Sequence, residues 1–150
     1  MRVHGQPYRT IFVADDGVTV AVIDQTRLPF AFELQHLRTA EDAAAAISDM
    51  VVRGAPLIGV TAAYGVALGM RADASDAGLD RAVALLGATR PTAVNLRWAL
   101  ARMRNMLATH APEQRMRLAY EEARRIADED VAACAAIGRH GLGILGQIRA

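Results

Sequence analysis

The chain has 150 residues, 53% of them hydrophobic and 22% charged, with a formal charge of +1. This composition excludes a disordered chain, and the length allows one domain with a sizeable core or a large piece of a longer protein. A charge so close to zero gives no general attraction for nucleic acid or an anionic membrane surface.

Two β-branched runs, Thr10–Ala14 and Val18–Ile23, flank Asp15-Asp16-Gly17 and predict a hairpin. After Asp24-Gln25-Thr26-Arg27-Leu28-Pro29, the period-2 alternation of residues 30–35 predicts a third strand. From Thr39 the pattern turns helical. Thr39 is a good N-cap with Glu41 and Asp42 in the first turn, and the helix can continue to Val52. A second helix, from Pro56 to about Gly69, is apolar all round and so expected to be buried, with small residues that let neighbours approach. Further helices are expected over residues 77–88, from Pro91 to about 109, and from Pro112 to near Ile137, where glycines weaken the pattern. The fold expected is α+β, a small N-terminal antiparallel sheet packed on a helical bundle. Residues 1–37 form the β-rich part and 38–150 the bundle. The apolar Gly141–Ala150 run stops without a cap, as in a fragment leading into further structure.

Chemistry-bearing residues are few. All 17 basic residues are arginine, which excludes a Schiff-base or phosphate-loop lysine in this chain. The two serines, Ser48 and Ser75, have no nucleophile-elbow context. His4, His36, His110 and His140 lack ligand spacing, so no metal is expected. The single cysteine, Cys134, lies among alanines and reads as an inert packing residue. Glu121, Glu122, Asp128, Glu129 and Asp130 read as a solvated helix face. Met1–Pro7 lacks the apolar core of a signal peptide. The uncharged Gly54–Met70 run is at the low edge of membrane-spanning length and rich in Gly, Ala and Thr. A buried helix and a cytoplasmic protein are expected.

The strongest candidate is Arg53-Gly54-Ala55-Pro56. A guanidinium, a backbone that can approach a ligand closely and a helix N-terminus together suit a phosphate. Arg90-Pro91 repeats the grammar, an arginine before a proline that looks like a first helical position, and two such arginines could converge on one phosphate. The competing reading makes both turns simple punctuation, with the arginines solvated and Asn95 and Trp98 packing. No carboxylate pair stands near either arginine, so spacing names no general acid or base.

The stretches Asp49–Gly65 and Arg90–Leu96 closely resemble the methylthioribose-1-phosphate isomerases of methionine salvage, and Asp24–Pro29 and Ile137–Gly141 fit the same family. The likeness runs in order along nearly the whole chain and corresponds to that family's N-terminal domain. It implies an aldose–ketose isomerase that holds substrate with Arg53, Gly54, Ala55 and Arg90. It also implies a catalytic cysteine and aspartate on a Rossmann-like domain beyond Ala150, no metal or organic cofactor, and a homodimer. Cys134 does not match the family's Thr-His-Cys-Asn motif. Related isomerases of 5-deoxyribose 1-phosphate or ribose 1,5-bisphosphate, and regulatory subunits of the initiation factor 2B type, are the alternatives.

Overall fold

The computed structural model describes residues 2–3 and 5–149, so His4 and Ala150 lie outside the described residues. A two-residue antiparallel pair, β1 (Arg2–Val3) with β2 (Gln6–Pro7), opens the chain and has no counterpart in the sequence reading. The main sheet has three antiparallel strands in chain order: β3 (Ile11–Val13), β4 (Val20–Ile23) and β5 (Leu34–Leu37).

The hairpin forms where Asp15-Asp16-Gly17 predicts it. Gly17 has φ +75°, a region glycine enters without strain. Asp16 Oδ1 accepts from the Val18 and Thr19 N–H groups at 2.9 and 2.8 Å, and the Thr19 hydroxyl donates to Oδ2. That hydroxyl, followed by the two backbone donors, lowers the Asp16 pKa from 3.8 to about 2. Because the folded value is the lower one, the carboxylate's contribution is fully present above pH 3.8 and is lost as the pH falls through about 2. An NMR titration of the Asp16 carboxyl is expected to show a midpoint near 2 in the native chain; a midpoint at 3.8 contradicts the hydrogen-bonded turn.

The third strand lies later than expected. Residues 27–31 are taken up by a turn in which Phe30 and Ala31 donate to the Arg27 carbonyl at 3.1 and 3.0 Å. Pairing instead begins at Leu34, opposite Ile23, and ends at Leu37, opposite Val20. This register buries Leu37 completely and leaves Phe30 96% exposed. Core burial of Leu37 outweighs the local Phe-Ala-Phe alternation.

Five helices follow: α1 (Ala40–Ser48), α2 (Ala55–Ala72), α3 (Asp76–Thr89), α4 (Val94–Ala108) and α5 (Pro112–Arg149). Thr39 caps α1 reciprocally with Asp42, accepting from the Asp42 N–H at 3.1 Å while Asp42 accepts from the Thr39 N–H. The helix stops at Ser48 rather than Val52 because Met50 takes φ 61° and swings Val51 across to accept from Gln25 N–H at 2.9 Å. α2 is the central core helix and packs on the other four. Gly65 makes this possible: a Cβ there would stand 2.8 Å from Leu86 Cδ2 and 2.9 Å from Ala43 Cβ.

The α+β arrangement expected from the sequence is the one found, with the sheet and helices sharing one core from Ile11 to Ala127. Three helical expectations need correction. α5 runs on past Ile137 to Arg149; once nucleated, the helix meets no proline to break it and tolerates its glycines. Cys134 is exposed rather than packed, because α5 has left the core by Val131. Glu122 is not solvated: its side chain is 6% exposed and is bonded by Arg102 at 2.6 Å and Arg125 at 2.5 Å. Arg102 also grips Glu129 and lies over the Trp98 ring at 5.4 Å. By length and composition α2 and α5 could each cross a membrane, but 67% of the α2 window is buried inside the fold.

Candidate phosphate-binding site

The site is built on the first turn of α2. Gly54 is its N-cap, with φ +93° and ψ 133°, a conformation closed to other L-residues without strain. Ala55 is the first helical residue, so Pro56 stands second rather than first. Pro56 has no N–H, and no side chain caps this end. The Ala55 and Leu57 N–H groups therefore lack intrahelical partners, and Gly54, Ala55 and Pro56 are exposed. An 18-residue helix directs its positive end to this point.

Arg53 stands immediately before this open end. Its guanidinium donates to the Gln25 carbonyl, which holds the arm against the Asp24–Pro29 turn. That turn is itself ordered. Asp24 Oδ1 accepts from the Thr26 hydroxyl at 2.6 Å and the Thr26 N–H at 2.8 Å, and the hydroxyl bond leads in holding Asp24 below the usual carboxylate range. One carbonyl occupies only part of a five-donor guanidinium, so Arg53 keeps donors for a ligand.

Arg90 is placed differently from the sequence expectation. It is the C-cap of α3, and α4 begins only at Val94, after a turn closed by Ala93 N–H to Arg90 carbonyl at 2.9 Å. Arg97 Nη1 donates to the Pro91 carbonyl at 2.7 Å and braces that turn. The repeated Arg-Pro grammar thus hides two backbone geometries. The bundle nevertheless brings Arg53 and Arg90 to one end. α3 runs antiparallel to α2, with Leu86 against Gly65 and Ala82 against Gly69. The start of α4 meets the start of α2 at Gly59, where an added Cβ would stand 2.9 Å from the Asn95 carbonyl oxygen. Among the described residues neither Arg53 nor Arg90 is ion-paired to a carboxylate. Two uncommitted cations and an open helix start can hold a dianion; they cannot by themselves move a proton between carbons.

The remaining candidates lie elsewhere. His36 and His140 are exposed, and His110 Nδ1 lies 2.8 Å from the Met106 carbonyl oxygen. Among the described residues no three His, Cys, Asp or Glu side chains group as a metal site. Asn95 is half-buried beside Gly59, whereas Trp98 is 49% exposed. A cavity of about 790 Å³ opens at the other end of α2 around Arg71 and Asp73. A smaller one, of about 200 Å³, lies beside the first turns of α2. The sequence reading missed Gln25 as the anchor of Arg53, although its turn was singled out as a motif.

Residues 51–147 match the model of the initiation factor 2 subunit family. Over all 150 residues the chain is 63% identical to a methylthioribose-1-phosphate isomerase of Methylobacterium nodulans and 64% identical to that of Methylorubrum extorquens. It covers 41% of each relative's length. The crystal structure of 5-methylthioribose 1-phosphate isomerase from Pyrococcus horikoshii superposes with a TM-score of 0.80 at 38% identity, over 89% of this chain and 39% of that one. Subunit delta of the translation initiation factor eIF-2B from A. fulgidus gives 0.75 at 38% identity, over 83% and 38%.

Proposed function

We propose that this chain, which belongs to the initiation factor 2 subunit family, is the substrate-holding part of an S-methyl-5-thioribose-1-phosphate isomerase. The observation that carries the reading is identity above 60% along the whole chain to isomerases of that name, together with an open α2 start flanked by Arg53. In this reading the enzyme converts the aldose phosphate to 5-methylthioribulose 1-phosphate in methionine salvage. The phosphate sits on the Ala55 and Leu57 N–H groups and is clamped by Arg53 and Arg90. A phosphate on the anomeric oxygen keeps the sugar ring from opening in the ordinary way, so the step needs an acid and a base. Those groups belong to the part of the relatives' length that this chain does not span. The complete enzyme is read as a cytoplasmic homodimer that needs no metal, organic cofactor, nucleic acid or membrane.

The test compares two polypeptides, the 150-residue chain and one of the relatives' full length that carries it. The long form is expected to turn over 5-methylthioribose 1-phosphate; the short form is expected to bind it weakly and leave it unchanged. Turnover by the short form would contradict the division of labour. A long form active only on 5-deoxyribose 1-phosphate or ribose 1,5-bisphosphate would move the assignment to those substrates. A long form that turns over none of the three would favour a regulatory subunit.

A further inference from the structure

We infer that Asp24 is a positioning residue: through the peptide unit between Gln25 and Thr26 it aims the Arg53 guanidinium at the phosphate without neutralising it. This rests on the phosphate seat proposed above. Asp24 is half-buried and follows directly on β4. In this reading it touches no substrate atom and acts only through Arg53.

One flat group carries a partner on either side. The Thr26 N–H and the Gln25 carbonyl belong to the same trans peptide unit, so they point in opposite directions. Asp24 Oδ1 takes that N–H at 2.8 Å and the Thr26 hydroxyl at 2.6 Å. The carbonyl is thereby turned away from Asp24, and the Arg53 guanidinium donates to it. Gln25 is fixed on its other side too, because its N–H donates to the Val51 carbonyl at 2.9 Å. A closed ring results, from Gln25 to Val51, along the chain to Arg53 and back through the guanidinium. Val51 and Val52 are buried, which ties the ring to the core. The Asp24 N–H donates to the Glu33 carbonyl at 3.0 Å and ties the turn to the approach of β5.

The indirect link matters electrostatically. A carboxylate bonded straight to Arg53 would orient it as well but would compete with the phosphate for the same charge. A carbonyl accepts the hydrogen bond and carries no net charge, so the cation stays available. The Asp24 charge still reaches Arg53 in part, since an anion on the N–H side polarises the peptide and strengthens its carbonyl as an acceptor. The Thr26 hydroxyl, first among the causes that lower the Asp24 pKa, helps to keep that carboxylate ionised. A long exposed side chain loses rotamer freedom when it grips a ligand, and an arm held beforehand loses less.

The experiment is a double-mutant cycle in steady-state kinetics with 5-methylthioribose 1-phosphate, in a polypeptide of the relatives' full length. Asp24→Ala is expected to lower kcat/KM about tenfold, mainly through KM, when Arg53 is present. In the Arg53→Ala background the same change is expected to alter kcat/KM by about twofold or less, because the group it positions is gone. Asp24→Asn keeps an acceptor oxygen and loses the charge, so a loss of about threefold is expected, again only with Arg53 present. Should the alanine variant not fold, Asp24→Asn in both backgrounds completes the same cycle. A residue that merely stabilises the turn would cost the same factor in both backgrounds. Equal losses in the two backgrounds, or no loss when Arg53 is present, would overturn the positioning role and leave the seat standing on the Arg53→Ala effect. If Arg53→Ala alone changes nothing, the seat itself is wrong, and the role of Asp24 falls with it.

Discussion

Arg53→Ala, in a polypeptide of the relatives' full length, is expected to lower affinity for the sugar phosphate and kcat/KM by roughly 10- to 100-fold. A charge-assisted hydrogen bond is worth about 1.5–3 kcal/mol, and each 1.4 kcal/mol is tenfold. The neighbouring geometry supports a value well above that of a surface cation. The Gln25 carbonyl holds the guanidinium before binding, and the α2 dipole acts at the same point. Arg53→Lys should recover little, because an ammonium cannot bond the carbonyl and a phosphate in one plane. Arg90→Ala is expected to fall in the same range, although Arg90 caps α3 rather than preceding a helix start. Steady-state kinetics decides. Unchanged KM and kcat/KM in both alanine variants would remove the phosphate assignment.

The largest effect on stability is expected at Arg115→Met, about 3 kcal/mol. Arg115 is a buried cation, its side chain 4% exposed, and it ties three separate segments. Nε donates to the carbonyls of Leu107 and His110, both at 3.0 Å, and Nη1 to that of Ala74, also at 3.0 Å. Nη2 lies 2.6 Å from Asp76 Oδ1. One side chain therefore satisfies the end of α4, the loop before α5 and the loop before α3. Methionine keeps much of the volume but leaves those carbonyls without their donor, which costs of order 1–3 kcal/mol for each one that stays buried. For a domain of this size, 3 kcal/mol corresponds to a fall in Tm of about 6–12 °C. Arg117→Met is the control: its pair with Glu121 is exposed on both sides and should contribute less than about 0.5 kcal/mol. Equal thermal shifts in the two variants would show that the clasp does not stabilise the fold.

Local chemistry was legible wherever it was also sufficient. Asp15-Asp16-Gly17 turns because glycine takes positive φ and Asp16 bonds the next amides. Thr39 begins α1 because its hydroxyl reaches an amide three residues on. α2 could be read as buried from its composition, an uncharged run rich in Gly, Ala and Thr that is apolar on every face. Arg53-Gly54-Ala55 could be read as an open helix start for the same local reason. Arg90 could not be placed, since a proline marks a turn and a first helical position alike, and the packing of α4 on Gly59 decided between them.

What the sequence by itself determined, then, is the α+β class, the order of the hairpin and the helices, the buried α2 and the residues of its start, all set by contacts within a few positions along the chain. Tertiary structure alone decided the register of β5, the gathering of Arg53 and Arg90 at one end of the bundle, the burial of Glu122 between Arg102 and Arg125, and the Arg115 clasp. Apart from the Glu122–Arg125 pair within α5, each of these joins groups far apart in sequence, as when Arg115 reaches Ala74 across 41 residues. The energy of such a contact depends on what the completed core excludes from water, which no local pattern encodes.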